Sequence, residues 1–519
     1  MIDKKRPDLA RDLKEMGRVN GTGMLMGLFF LTITFIPLDF MIEMGTVISP
    51  TNTLEEKTVL LFSLIKLVFP WLGVMSLLWV VLPENGKQAV RGMLNKIVQS
   101  PYTLPGILII GAFLRISWVY YFPTKLYADS IWYFRNATEL AQGQGFVYAL
   151  QTMQPLVGWP VGYPAFLSLI FRLTGPSLWV AKWINILLAE CGILLAYWLG
   201  LQLFNRGVAV LSAMFIACLP GLIVYTGLVA TDLLFMTLAL ACFLLSLKDD
   251  KWFRGPGVNG LLLGFVSGCL SLVRSTGLFL FPLWIIFQWF LLQKRTPFLK
   301  WVLGAGIGMG MVVLPWTLRN YYHFGVLIPV SANGGANFWI GNNPLAYGGY
   351  IFPNNAELNP LYPLIGQQIE LDQKGYALGM EYIRTHPVRT IELLPAKIFY
   401  LYNSNDFGLH WSKLSAVTLN QPGSGPRAFA LINLLYVILA CFGLAGVLNV
   451  LLRNTFRTPL RLHGLYLTLY WTIIHLPFFG QDRFSLPLIP VLGYYAALGV
   501  MAWLGMTGYP SPSSHPLHD

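Results

Sequence analysis

This chain has little charge. Of 519 residues only 11% are Asp, Glu, Lys or Arg, and 55% are hydrophobic, whereas soluble domains carry about a quarter charged residues. Such a chain cannot solvate an ordinary globular surface, which excludes a soluble enzyme, a disordered protein and a coiled coil. Cysteine is scarce as well. All five, Cys191, Cys218, Cys242, Cys269 and Cys441, lie inside apolar runs, so neither a disulfide framework nor a zinc site is indicated, and they read as packing residues. No Walker, Rossmann or His-Glu-x-x-His pattern occurs, which leaves a nucleotide or zinc cofactor without sequence support. The net charge is +12. A nucleic-acid binder would gather it into one basic face. Here the basic residues sit mainly in short clusters between apolar runs, as in a polytopic membrane protein, and no nucleic-acid partner is expected.

What is present is a series of long apolar runs. Windows of roughly 20 apolar residues predict spans near 24–48, 58–82, 104–122, 179–200, 207–225 and 228–247. Further spans follow near 258–273, 277–293, 299–318, 428–452, 461–479 and 485–506. The fold class is therefore an all-α polytopic membrane protein of about a dozen transmembrane helices. The N-terminal stretch, with Lys4, Lys5, Arg6, Arg11, Lys14 and Arg18, is too long and polar before the first apolar run for a cleavable signal. A retained first span with a cytoplasmic N-terminus is expected. Threading from there places Lys87, Arg91 and Lys96, then Arg206, then Lys248, Lys251 and Arg254 on the cytoplasmic side. Lys294, Arg295 and Lys300, and finally Arg453, Arg457 and Arg461, join them, so every short basic cluster falls on one face.

Two stretches, about 123–178 and 319–427, are too long to be simple connections and fall on the extracytoplasmic face. They are rich in Trp, Tyr, Pro and Gly and include amphipathic segments such as Ser130–Ala141. The first reads Tyr127-Ala128-Asp129-Ser130, then Tyr133, Ala137, Leu140-Ala141, Gly143 and Gly145-Phe146, then Gly158-Trp159-Pro160-Val161-Gly162-Tyr163-Pro164. Taken alone, Asp129 is a plausible N-cap for the amphipathic segment. The whole pattern, however, resembles the first outer loop of the C-type integral membrane glycosyltransferases that use polyprenyl-phosphate-linked sugars, a superfamily that includes protein O-mannosyltransferases and aminoarabinose transferases. Later landmarks are similar too: Thr231-Asp232 opening a span, Arg274, Pro315-Trp316-Thr317-Leu318-Arg319-Asn320, Asn333 to Pro344, and His475 with Asp482-Arg483-Phe484. The resemblance covers roughly 104–506. Residues 1–103, a cytoplasmic segment and two spans, lie outside it, and 507–519 form a cytoplasmic tail.

The resemblance implies transfer of a sugar, with inversion, from a polyprenyl-phosphate donor to an acceptor hydroxyl or amine at the outer face of the plasma (inner) membrane. It carries the loop's catalytic carboxylate onto Asp129 and the second acidic position onto Asp232. Some relatives use or bind a divalent metal, but no metal-ligand cluster is legible here. The chemistry of the residues agrees with this assignment. Ionisable groups beside hydrocarbon are functional candidates by default, and Asp129, Asp232, Arg274, Arg319, Asp482 and Arg483 all map to the outer boundary. A carboxylate suits removal of the acceptor proton. Guanidinium suits a leaving lipid phosphate, which makes Arg319, Arg483 and Arg274 the candidate phosphate ligands. Tyr133, Trp159 and Tyr163 in the first loop, and Asn337, Asn342 and Asn343 in the second, are the candidate sugar or acceptor contacts. Arg115 sits mid-span, where pairing with a bundle carboxylate is expected.

Gly304, Gly306, Gly308 and Gly310 read as helix packing, and the sequon Asn136-Ala137-Thr138, inside an expected helix, as chance. The acceptor, whether protein, lipid or glycan, is not specified by the sequence. The competing classes are a secondary transporter or lipid flippase and a lipid-linked polysaccharide polymerase or ligase. A transporter would place charges near the midplane of repeated halves, and no internal repeat is evident. The topology has a direct check. In intact cells Tyr350→Cys should react with an impermeant thiol reagent and Lys251→Cys should not; labelling at position 251 would reverse the orientation.

Overall fold

The computed structural model describes residues 52–149, 153–247, 255–292, 294–415, 424–452 and 459–506. The predicted span 24–48 and the tail 507–519 lie outside them. The described chain is almost wholly helical. It begins with α1 (Asn52–Val81), α2 (Glu84–Gln99), α3 (Thr103–Tyr121) and α4 (Asp129–Ala141). A two-stranded antiparallel ladder, β1 (Val147–Ala149) with β2 (Gln154–Pro155), precedes α5 (Gly162–Thr174), α6 (Leu178–Leu203) and α7 (Arg206–Cys218). Next come α8 (Pro220–Tyr225), α9 (Asp232–Leu247), α10 (Pro256–Val273), a 3-10 turn at Ser275–Phe279, α11 (Leu280–Leu292) and α12 (Arg295–Phe324). The second long loop holds α13 (Gly334–Gly341), α14 (Gln368–Thr385), α15 (Pro387–Tyr402) and α16 (Phe407–Ser415). The chain closes with α17 (Ser424–Leu452), α18 (Pro459–His475), α19 (Asp482–Ser485) and α20 (Ile489–Trp503).

Eight helical stretches among the described residues are long and apolar enough to cross a membrane, and α7 and α9 are shorter apolar helices. This is a multi-pass membrane protein. Every predicted span within the described residues falls largely on helix, with local differences: the run 461–479 is helical only to His475, and 277–293 and 485–506 include 3-10 turns. The run 207–225 breaks at Leu219–Pro220, because proline lacks the N–H that would continue the ladder. The run 228–247 becomes helical only at Asp232. The span expected at 299–318 extends from Arg295 to Phe324 and ends where Gly325 adopts φ +67°, the left-handed stop that glycine tolerates. Lys87, Arg91 and Lys96, read as a loop cluster, lie on the amphipathic helix α2. Arg91 donates to the Leu504 carbonyl at 2.8 Å, and Arg206 holds the Val98 and Ser100 carbonyls.

The mid-span arginine finds its expected partner. Arg115 is fully buried, 3.7 Å from Glu190 of α6, and it donates to the carbonyls of Ile216 and Ala217 at the end of α7. The sequon asparagine, Asn136, is buried within α4.

Helices α10 and α12 meet backbone to backbone along a glycine seam. A Cβ on Gly260 would press into the Trp301 carbonyl, and one on Gly264 into that of Ala305. Reciprocally, a Cβ on Gly304 would meet the Gly257 carbonyl, and one on Gly308 that of Leu261. Spacing of four keeps these glycines on one helix face, where small residues let helices pack without a hydrophobic driving force in lipid. Gly306 and Gly310 face away, with open space around them. Gly308→Val should therefore destabilise the purified protein by about 1–3 kcal/mol or more, the scale of overpacking. Gly306→Val should leave its melting temperature nearly unchanged. Equal effects in thermal unfolding would refute the seam.

Candidate functional site

At one end of the bundle, helix termini from distant parts of the chain deliver four charged side chains to one point. Asp232 is the first residue of α9 and is 1% exposed. Its Oδ1 accepts from Arg274 Nη1 at 2.8 Å and from Arg483 Nε at 3.0 Å, and its Oδ2 accepts from the same Nε at 3.1 Å. Arg274 lies in the break between α10 and the following 3-10 turn, and Arg483 is the second residue of α19. The outer nitrogen of Arg483, Nη1, donates to Asp129 Oδ2 at 3.2 Å. Two guanidiniums thus face two carboxylates, and the quartet is neutral. Both acids begin helices, where the macrodipole favours negative charge.

The two carboxylates differ. Asp232 is enclosed and held three times; Asp129 is 27% exposed and held once. Nor is Asp129 the cap that its position in the sequence allowed. Ala128 occupies the N-cap, no side chain caps the helix, and Asp129 is its first residue. Ala128 has φ +48°, an uncommon backbone state for a residue with a Cβ, of the kind that clusters at functional sites. The Ser130 hydroxyl donates to the Tyr127 carbonyl at 2.6 Å and fixes this turn.

Aromatic rings fix the arginines in turn. Arg483 lies 4.6 Å from the Trp411 ring centroid and 5.7 Å from Phe407, while Arg274 is 5.1 Å from Phe484 and 5.7 Å from Phe235. Asp482, adjacent to Arg483, is committed to the second loop. Its Oδ2 accepts from Ser404 Oγ at 3.1 Å and from the Asp406 and Phe407 amides at 3.0 Å, which seats Phe407 beside Arg483. Phe407 and Trp411 were not singled out in the sequence. They sit in the long second loop, without a pattern pointing to a guanidinium.

The remaining candidates separate. Tyr133 packs edge-on against Trp159 and Tyr163, with ring centroids 5.8 and 5.6 Å apart, and Trp132 stacks on Trp159 at 6.2 Å. Burial, then Asp129, pushes the Tyr133 hydroxyl well above its ordinary pKa. From the second loop, Tyr350, half exposed, is raised as well, by partial desolvation and then by the Asp129 charge. Arg319 stands elsewhere. It holds the Leu156 and Phe146 carbonyls at 2.8 and 3.0 Å and stacks on Trp316, tying the first loop to α12. Asn342 and Asn343 are buried, their amides donating to Phe338, Pro477, Trp339 and Ile340 carbonyls. Asn337 is half-buried on α13. The buried Lys397 donates to Asn342 Oδ1 and the Leu476 carbonyl, and desolvation lowers its pKa to about 8. No cluster of three or more His, Cys, Asp or Glu suited to a metal occurs among the described residues.

Residues 159–318 match the family of dolichyl-phosphate-mannose-protein mannosyltransferases. The match spans 160 of the chain's 519 residues. That stretch includes Asp232 and Arg274, and it bears out the resemblance read from the sequence. No curated protein matches the chain. Among solved structures it is similar to the Archaeoglobus fulgidus oligosaccharyltransferase in the apo form, at 15% identity and TM-score 0.48, over 77% of this chain and 50% of that one. It is also similar to the archaeal oligosaccharyltransferase AglB from Archaeoglobus fulgidus in complex with an inhibitory peptide and a dolichol-phosphate, at 16% identity and TM-score 0.45, over 77% and 50%. A third, the Archaeoglobus fulgidus enzyme in complex with Zn and sulfate, shares 14% identity at TM-score 0.46, over 78% and 54%. The chain spans about half the length of these structures.

The quartet predicts unequal costs for its two acids. Asp232→Ala leaves Arg274 without a carboxylate and Arg483 with Asp129 alone, and should lower stability by about 3–5 kcal/mol, as for a broken buried pair. Asp129→Ala, partly exposed, should cost about 1 kcal/mol or less. Thermal unfolding of the purified variants checks this, and equal losses would contradict the assignment.

Proposed function

We propose that residues 104–506 form a glycosyltransferase module acting at the outer face of the inner membrane. It takes a sugar from a polyprenyl monophosphate and passes it to an acceptor hydroxyl or amine with inversion. The observation that carries this reading is the contact between a partly exposed carboxylate, Asp129, and a guanidinium pair held by a second, buried carboxylate. The acceptor oxygen or nitrogen attacks the anomeric carbon, the carbon–oxygen bond to phosphate breaks, and its electron pair leaves on the lipid phosphate. Arg483 and Arg274 receive that charge; their planar forks suit phosphate oxygens and stay protonated beside lipid. Asp129 accepts the acceptor proton. A donor phosphate competes with Asp129 for Arg483 Nη1, so donor binding releases the base at the moment it is needed.

Tyr133 and Tyr350, whose hydroxyls feel the Asp129 charge, and Trp159, packed on Tyr133, offer ring faces and hydroxyls to the sugar or acceptor. Arg319 serves this site by anchoring the first loop. The lack of an evident internal repeat in the sequence favours this reading over a transporter, which is commonly built from repeated halves. Asp129→Asn preserves size and removes proton-accepting strength. Transfer from a polyprenyl-phosphate sugar should fall by about 10²-fold or more, with donor binding intact. A normally folded Asp129→Asn protein that keeps most of its transfer activity would sink the mechanism.

A further inference from the structure

Tyr225 ends the short helix α8, just before the irregular stretch 226–231 that leads to Asp232. Its side chain is buried, and its ring packs so closely on α16 that a Cβ on Gly408 would lie 2.9 Å from it. The hydroxyl has no hydrogen-bond partner among the described residues. It lies within electrostatic reach of Asp232, Asp482, Arg483 and Arg274. Leaving a buried hydroxyl unpaired is unfavourable, a cost that phenylalanine at the same place would not incur. The position therefore carries a donor that none of the described residues uses.

The use for it follows from the quartet. Among the described residues, Asp232 takes its side-chain donors from Arg274 and Arg483, the two groups assigned above to the donor phosphate. When phosphate draws either guanidinium away, a fully buried carboxylate loses a charged donor, a state that is expensive unless another donor replaces it. We infer that Tyr225 is a positioning residue whose hydroxyl bonds to the Asp232 carboxylate once the lipid phosphate engages the arginines. It thereby stabilises the donor-bound arrangement selectively. This rests on the proposed function and extends it to a residue that never touches the substrate.

The test uses the full chain in lipid nanodiscs, titrated with a polyprenyl monophosphate and, as a phosphate-free control, the matching polyprenol. Wild type should prefer the phosphate. Tyr225→Phe should bind it about tenfold more weakly, the scale of one hydrogen bond to a charged group, while its unliganded melting temperature stays equal or rises. Donor KM should rise in step. Equal phosphate affinity in both proteins overturns the inference and leaves the functional reading standing. A lowered melting temperature of unliganded Tyr225→Phe makes the hydroxyl merely structural and overturns it too. A wild type that does not distinguish phosphate from alcohol refutes the functional reading and this inference with it.

Discussion

A carboxylate enclosed by an apolar bundle stays charged only where cationic donors surround it, and one end of this molecule is arranged to meet that condition at Asp232. Its partners arrive from chain segments 42 and 251 residues away. To deliver them, α10 must stop at Val273 and α19 must begin beside the second loop. Each guanidinium is then flanked by rings, which limits its freedom without neutralising it. The glycine seam contributes at a distance: by fixing α10 against α12 backbone to backbone, it fixes the height at which Arg274 emerges. Remove the carboxylate, and both arginines lose their reason to converge.

The two long loops are a scaffold for this point. Gln368 at the start of α14 accepts from the Val157 and Gly158 amides at 2.7 and 2.6 Å and donates to the Pro155 carbonyl. The Ala332 amide joins the Val157 carbonyl at 2.8 Å. The first loop is thus stitched to the second, and Arg319 stitches it again to α12. The two loops, which hydropathy shows only as gaps, are thus joined by long-range hydrogen bonds.

Much of this was legible in the sequence, for identifiable reasons. Spans are visible because hydrocarbon demands an unbroken apolar run, and the shared end of Asp129, Asp232, Arg274 and Arg483 follows from counting spans. The break at Pro220 and the late start of α9 were not, since an apolar window averages over a missing N–H. The amphipathic α2 escaped because its apolar residues are too few to stand out from a basic loop. Asp482 illustrates a different limit: it adjoins Arg483 in the chain, yet it serves the turn at 404–407, because consecutive helical residues point apart. Trp411, Phe407 and Tyr225 matter through contacts across the fold, and no local spacing marks such residues.

The pair formed by Arg115 and Glu190 bears on the order in which the chain enters the membrane. An arginine at the centre of a span disfavours insertion by about 2.5–3.5 kcal/mol even on the milder scales. Here α3 is synthesised well before α6 and α7, which supply the carboxylate and the two capping carbonyls. Alone in lipid, α3 would carry an unanswered charge. The arrangement therefore makes the comfort of α3 in the bilayer depend on groups made about 75 to 100 residues later.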